Sequence, residues 1–573
     1  MTNKEIADVL AGVAVLMELK GENPFRSRAY QNAARQVETL DRDAKDLLEA
    51  GELSGVRGIG KGIAEDIAEL LTTGGLGLYE GLRASIPAGL IEMLGISGLG
   101  PKRVRAIHET LGIETLGDLE AACQGDRVSG LPGFGAKTQA NILSGIEALR
   151  RNQGLYLFCD AMLAAEGVCE QLRRHPSVAR IAIAGALRRR KEVTKDIDLV
   201  ASAKDAGALM DAFVHLADVA SVTAKGETKT SVALRSGIRA DLRVVAEAEF
   251  PYALHHFTGS REHNTLMRGR AKGMGLKMNE YGLFRGEGLI RCKDEAGVFE
   301  ALGLSYIPPE LREGMDEIEA AERGELPRLV EPEDLKGVLH VHTNASDGSN
   351  TLEEMARAAQ ERGYTYIAVC DHSRSLAVAN GLSVERLRRQ GEEIDRLNKK
   401  LKGITILKGA ESDILPDGGL DYDDDVLETL DVVVASVHSQ MKMSAEKSTE
   451  RLIRAIRDPH TTILGHATGR LLLRREGYPI QVEKVLDALA ENGVALEFNA
   501  NPYRMDLDWR YLKAAKERGV KVAINSDAHS VEEIDTMALS TGTARKGWLT
   551  KEDVLNAMSA KEIVQYLRNR KRG

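Results

Sequence analysis

The 573-residue chain carries 77 Lys+Arg against 86 Asp+Glu, a formal net charge of −9, and 43% of its residues are hydrophobic. That length exceeds a single core and predicts about three to five domains. No run of ~18 apolar residues exists, which excludes a helical membrane span. The opening Met1-Thr2-Asn3-Lys4-Glu5 leads into an amphipathic helical pattern, not a signal-peptide core.

The acidity is local. Residues 1–300 hold 39 Lys+Arg and 40 Asp+Glu, residues 301–334 hold 3 and 10, and residues 335–573 hold 35 and 36. A short connector therefore supplies most of the net charge, and basic clusters elsewhere remain free to bind phosphates. The cysteines (Cys123, Cys159, Cys169, Cys292, Cys370) are scattered and odd in number. They predict reduced thiols in a cytoplasmic protein, without a disulfide framework.

Ile6, Val9, Leu10, Val13, Leu16 and Met17 fall at helical spacing, and a second helix follows Asn23-Pro24. Three similar passages come next: Gly58-Ile59-Gly60-Lys61, Gly98-Leu99-Gly100-Pro101-Lys102 (after Ile96-Ser97), and Gly133-Phe134-Gly135-Ala136-Lys137. Each predicts a glycine turn that opens a helix, where free N–H groups and a nearby lysine suit a phosphate. Their repetition resembles helix-hairpin-helix modules, which hold DNA by its backbone without reading sequence.

Beyond Arg150-Arg151 the pattern alternates. Residues 179–184, 196–201, 231–235 and 239–245 read as strands of one sheet. The passage Gly185-Ala186-Leu187-Arg188-Arg189-Arg190-Lys191 follows the first strand, and Asp196 and Asp198 share one face of the second. An exposed hairpin with solvated charges would have the same local pattern. Asp241, a third acid on an apolar strand, favours a site instead. Three carboxylates suit two Mg²⁺ or Mn²⁺ ions about 3.5–4 Å apart.

The passage His255-His256-Phe257-Thr258-Gly259-Ser260, then Asn264 and Arg268, and later Asn279-Glu280-Tyr281-Gly282, complete a pattern over residues 1–315 that resembles a family X DNA polymerase. That resemblance implies Asp196, Asp198 and Asp241 as catalytic metal ligands, with Asp241 the base for a primer hydroxyl. It implies Gly185 and Arg189 on the incoming triphosphate, and His256, Phe257, Gly259 and Ser260 around the deoxyribose. Asn264 would meet the base edge and Arg268 the template. The chain departs from the family at Ala186, where a serine usually donates to the triphosphate, and at His256, where a tyrosine stands beside the sugar. It departs again at Asp66, which occupies the position of a Schiff-base lysine; a carboxylate cannot form that imine.

Residues 305–336, with Pro308-Pro309, Pro327 and Pro332, read as a partly helical, extended linker between independently folded units. After Gly337, apolar strand candidates recur near 338–342, 366–371, 404–410, 431–437, 461–465, 494–498 and 521–526, a parallel-barrel rhythm. Ligand-type residues collect at their C-terminal ends: His340, His342, Asp347, Asp371-His372, Glu411, His438, His466, Asp527 and His529. His460 precedes its strand and reads as structural. The order resembles the polymerase and histidinol phosphatase (PHP) domain. This implies one metal on His340, His342, Glu411 and Asp527, a second on Glu411, His438 and His466, and a third on Asp347, His372 and His529. Mixed His and carboxylate donors suit Zn²⁺, Mn²⁺ or Fe²⁺, and Arg470 offers a cation for a substrate phosphate.

The fold expectation is therefore multidomain. It comprises a helical DNA-binding domain (1–85), helix-hairpin-helix fingers (86–150), an α/β nucleotidyltransferase palm (151–248), a thumb (249–315), an acidic linker (316–336) and a distorted (β/α)7 PHP barrel (337–573). The combined resemblance implies a bacterial, monomeric enzyme that fills short gaps in primed or gapped duplex DNA from deoxynucleoside triphosphates. Its PHP domain would act as a 3′-5′ exonuclease and as an AP endonuclease. The alternatives are a weakened polymerase that only presents DNA to the nuclease, and a small-molecule phosphatase.

Overall fold

The computed structural model describes residues 1–570 apart from Thr2, Thr39, Asp41 and Ser97, and it divides into two compact units, Met1–Gln153 and Gly154–Gly573. Ser97, in the second glycine turn, thus lies outside the described residues.

The first unit is helical. Each glycine turn opens a helix: α1 (Lys61–Thr73), α2 (Pro101–Leu111) and α3 (Ala136–Asn152). The residue between each glycine pair (Ile59, Leu99, Phe134) is buried and pins its turn to the core.

The second unit contains a five-stranded palm sheet of order β1-β2-β5-β4-β3. Its strands are β1 (Val178–Ile183), β2 (Asp196–Ala203), β3 (Val219–Lys225), β4 (Lys229–Leu234) and β5 (Arg239–Val245). Strands β2 and β5 run parallel and their neighbours antiparallel. The sequence reading lacks β3. This edge strand faces mostly solvent, so Val219-Ala-Ser-Val-Thr-Ala-Lys225 has no apolar run to betray it. Helices α4 (Phe250–Thr258) and α5 (Arg261–Gly273) begin the thumb, which also carries a small three-stranded sheet.

The C-terminal barrel holds seven parallel strands in chain order: β6 (Gly337–Val341), β7 (Tyr366–Val369), β8 (Thr405–Asp413), β9 (Val432–Ser436), β10 (Ile463–Leu464), β11 (Ala495–Asn499) and β12 (Val522–Asn525). A parallel bridge between Val341 and Ala528, where the His342 N–H donates to the Ala528 carbonyl at 2.8 Å, brings the last strand to the first.

The connector is not an extended spacer. Residues Glu317–Arg323 form a helix with Ile318, Ala320 and Ala321 buried, and Leu329 packs with them in the thumb core. Val330 joins an apolar cluster shared with palm and barrel, and its N–H donates to the Leu549 carbonyl at 2.9 Å. Its acids hid this apolar side. Among the described residues no helix is long and apolar enough to cross a membrane. The five cysteines are free, with Cys123, Cys169 and Cys370 buried.

Candidate active sites

The three turns of the first unit share one geometry. Gly58, Gly98 and Gly133 have φ of 94°, 85° and 80°, the left-handed region open to glycine. Gly60, Gly100 and Gly135 then lead, with extended backbone, into α1, α2 and α3. An added Cβ at Gly60, Gly98, Gly100, Gly133 or Gly135 meets nothing within 4 Å, so these turns leave room for close approach by another backbone. Lys61, Lys102 and Lys137 are exposed beside them. Asp66, on α1, accepts a 2.5 Å hydrogen bond from the Tyr30 hydroxyl.

In the palm, the parallel register sets Asp198 beside Asp241, with Asp196 on the same face of β2. Burial, then the charges of Asp196 and Asp241, push the Asp198 carboxyl up to about 6. Lys229 lies 2.5 Å from Asp241 Oδ2, and Arg239 lies 2.5 Å from Asp196 Oδ2. The other Asp241 oxygen, Oδ1, is buried without a hydrogen-bond partner. An all-carboxylate set with an orphaned oxygen fits hard divalent cations. Gly185, at φ 62°, sits against this cluster; a Cβ there would fall 2.3 Å from Asp198 Oδ2.

The cationic turn after Gly185 is anchored to the thumb. Arg188 makes a two-pronged ion pair with Glu295 at 2.9 and 2.7 Å, and fully buried Arg312 adds a third bond at 2.5 Å. Arg189 donates to the Thr258 carbonyl at 2.5 Å and to Glu313 at 3.1 Å. Gly259 allows this crossing, since a Cβ there would lie 2.9 Å from Arg189 Nη1. Ser260 is buried, and its hydroxyl caps α5 by accepting from the His263 N–H at 3.2 Å. Asn264 donates to the His256 carbonyl at 2.7 Å, leaving its own buried carbonyl oxygen unpartnered. His256, Asn264 and Arg268 line one small cavity with Asn279. Phe257 lies under Arg243, 4.2 Å from guanidinium to ring centre.

Two barrel contacts reach this turn. Lys546, fully buried, donates to Glu313 at 2.6 Å and to the Arg189 carbonyl at 2.8 Å. Glu192 accepts from Trp509 at 2.9 Å and Arg510 at 3.0 Å; burial alone would raise its carboxyl, but Arg510 holds it down at about 2. Neither contact was foreseen from sequence.

In the barrel, nine ligand-type side chains converge at the C-terminal mouth. They form three overlapping groups: His342, Asp347, His372 and His529; His340, His342 and Asp527; His372, Glu411 and His438. His466 joins through Glu411, 2.9 Å from Nε2 to Oε1. The grouping differs from the sequence expectation, because His342 also faces Asp347's group and His372 also faces Glu411. His340 Nε2 and His342 Nε2 stand 3.2 Å apart, and His342 Nε2 lies 3.0 Å from Asp527 Oδ1. Burial alone would depress His372, but Glu411 and Asp347 push it up to about 10. His342 goes down to about 3 through burial and the neighbouring His529 and His372. Crowded donors polarised in opposite directions are what cations would relieve, and this donor set fits borderline transition metals.

Carboxylates behind the ligands orient them. His340 Nδ1 bonds Glu497 at 2.7 Å, and the other Glu497 oxygen accepts from the His466 N–H at 2.8 Å. His438 Nδ1 bonds Asp413 at 2.7 Å. Both acids were missed from sequence, although an acid inside an apolar strand is a usable signal. Asp371 accepts from Thr343 at 2.7 and 2.6 Å and from Ser346 at 2.5 Å, which makes it a scaffold for the strand end. His460 belongs to none of the three groups; its ring nitrogen Nε2 lies 4.0 Å from Asp424, and its backbone N–H donates to Asp458 at 2.9 Å. Arg470 does not face the mouth freely; it is fastened to Asp508 at 2.7 Å and to the Arg504 carbonyl at 2.9 Å. Arg504 is the arginine beside the ligands, 3.5 Å from Asp527 Oδ2.

Family models for a helix-hairpin-helix domain and a SAM-like helix-hairpin-helix tandem match residues 1–76 and 90–148. Those for the DNA polymerase beta thumb and the PHP domain match residues 253–313 and 339–501. A probable phosphatase of Thermoanaerobacter sp. (strain X514) is 32% identical over 244 residues, 41% of this chain and 94% of its own length. A second, from Caldanaerobacter subterraneus subsp. tengcongensis, is 30% identical over 244 residues, 41% of this chain and 91% of its own. The DNA polymerase/3′-5′ exonuclease PolX of Bacillus subtilis (strain 168) is 39% identical over 572 residues, 99% of this chain and 100% of that protein. With helical modules, thumb and metal-ligand barrel in the same order along its whole length, the chain belongs to the PolX family of DNA polymerase/3′-5′ exonucleases.

Proposed function

We propose that this chain fills short gaps in DNA and trims 3′ ends, taking gapped or primed duplex and deoxynucleoside triphosphates as substrates. We place it in the cytoplasm as a monomer. One observation supports the polymerase half above others: the register that sets Asp198 beside Asp241, with the glycine of the cationic turn packed on Asp198. Asp241 then accepts the proton of the primer 3′-hydroxyl, Arg189 and the Gly185 backbone hold the triphosphate, and Asn264 and Arg268 bracket the nascent pair. Arg239 and Lys229 give up their carboxylates when the substrate brings cations. Two Mg²⁺ or Mn²⁺ ions at the palm, and up to three Zn²⁺, Mn²⁺ or Fe²⁺ ions at the barrel, would neutralise developing charge and acidify an attacking oxygen. In the barrel, the nine side chains would hold the metals that polarise the scissile phosphodiester, while Glu497 and Asp413 fix the rings of His340 and His438 for that task.

Ala186 and the engagement of Arg189 with Glu313 favour a second reading, in which the palm only presents DNA to the nuclease. One experiment decides both halves. On a one-nucleotide gap with Mn²⁺ and saturating nucleotides, the wild type extends the primer, and Asp196→Ala with Asp198→Ala abolishes extension while sparing exonuclease activity. His340→Ala with His342→Ala does the reverse. Absence of extension by the wild type leaves the platform reading, and nuclease activity surviving the histidine pair sinks the barrel assignment.

A further inference from the structure

The loop that leaves β11 at the barrel mouth is fastened at several points. Arg470 holds the Arg504 carbonyl at 2.9 Å and also the Met505 carbonyl. Asp506 accepts from the Thr468 N–H at 3.0 Å and its hydroxyl at 2.8 Å. The Leu472 N–H donates to the Tyr503 carbonyl at 2.6 Å. A loop tied this way presents its side chains in fixed directions.

Two consecutive residues use that rigidity in opposite senses. Arg504 turns inward to Asp527, whereas Tyr503 stands at the rim, 39% exposed, with the Arg474 guanidinium 5.1 Å from its ring centre. Arg474 is itself exposed, so the pair offers a cationic, half-open aromatic surface one residue from the arginine that meets Asp527. Most ligands lie deeper: His340 and His342 are fully buried, while Asp347 and His529 keep side-chain exposures of 35% and 33% and mark the opening. A phosphodiester must therefore sink into the mouth, which a base-paired terminus does only by separating from its complement.

We propose that Tyr503 and Arg474 form a stacking subsite for the 3′-terminal base of a single DNA strand, with Arg504 below it on the phosphate. A terminal nucleotide complements this dipeptide at both ends, its anionic phosphate toward Arg504 and its base toward the Tyr503 ring. Stacking on a ring explains trimming without sequence preference, because every base has a π-face. The inference rests on the exonuclease reading above and deepens it by naming the groups that admit the strand.

The probe is a short oligodeoxynucleotide with 2-aminopurine at its 3′ terminus, added to the full chain after chelation, so that stacking is read without turnover. Wild type and Tyr503→Phe quench the fluorophore; Tyr503→Ala and Arg474→Ala do not. With metals restored, Tyr503→Ala raises KM for single-stranded DNA about 5- to 100-fold, the range for losing one stacked base. It leaves turnover of a small ester, a phosphodiester joining two base-free deoxyribose units with no aromatic ring to stack, unchanged. Retained quenching in Tyr503→Ala, or an equal loss in Tyr503→Phe, overturns the subsite. So does a parallel fall in turnover of the small ester, which would give Tyr503 a structural role. A wild type that hydrolyses the small ester but not DNA overturns the exonuclease reading instead, and the quenching result still decides the stacking.

Discussion

The palm and the barrel both gather acids at the ends of parallel strands, yet they are built for cations of different residence. The palm has only carboxylates, and two of them are paired with Arg239 and Lys229. Those cations stand where substrate-borne metals would act, so two of the three carboxylates are paired between turnovers while Asp198 stays under the field of the other two. Among the described residues, the barrel has no lysine or arginine that close to most of its donors. Two of its imidazoles, His340 and His438, are backed by Glu497 and Asp413, which fixes their ligating nitrogens in advance. Donor softness and supporting acids thus fit the barrel to a resident metal centre and the palm, in the function proposed above, to one assembled with each nucleotide.

The contrast breaks most severely at Glu497, which supports His340 from one oxygen and the backbone of His466 from the other. In Glu497→Gln, metal content after dialysis and exonuclease rate fall about 10- to 100-fold, the usual cost of losing such a partner. Primer extension is unchanged, because the hydrogen bonds of Glu497 all stay within the barrel. Metal analysis beside both assays checks this; a barrel that keeps its full metal content in the variant would show that the histidines hold their orientation unaided.

This difference also explains what the sequence made legible. Histidines at strand ends stand out because few core roles need them there, and the barrel rhythm places them on one rim. Glu497 and Asp413 were hidden because each serves a histidine from another strand, 157 residues away in the first case and 25 in the second. The palm triad was legible through its period-two spacing and its apolar strands. The connector was misread because charge masked Ile318, Leu329 and Val330, whose burial depends on surfaces far along the chain. Arg470 was assigned to a phosphate for its position next to His466, but adjacency in sequence does not give side-chain direction. Asp508 and the carbonyls of the β11 loop claim it.

A smaller effect tests whether the two centres are mechanically separate. Lys546 bonds Glu313, which in turn bonds Arg189, so a barrel side chain buttresses the arginine proposed to hold the triphosphate. Lys546 also donates to the Arg189 and Glu310 carbonyls, so its loss removes three charged hydrogen bonds at about 1.5–3 kcal/mol each, of which only part reaches the Arg189 guanidinium. Lys546→Met accordingly raises KM for the incoming nucleotide about 10-fold, with kcat for extension little altered and exonuclease activity unchanged. Steady-state extension at varied nucleotide concentration gives both constants. Unchanged KM would mean that Glu313 holds Arg189 without the barrel.

The mildest change probes the palm's departure at Ala186. This residue is the second of the short helix Gly185–Arg188, directly after the glycine packed on Asp198, and it is only half-buried. A serine hydroxyl there adds one donor to the turn that carries Gly185 and Arg189. A single added hydrogen bond is worth about 1 kcal/mol net, so Ala186→Ser lowers the nucleotide KM about 5-fold. Because the metal ligands are untouched, kcat stays the same and the exonuclease does not respond. If KM does not fall, the triphosphate lies away from this helix start, and the roles given to Gly185 and Arg189 fail with it.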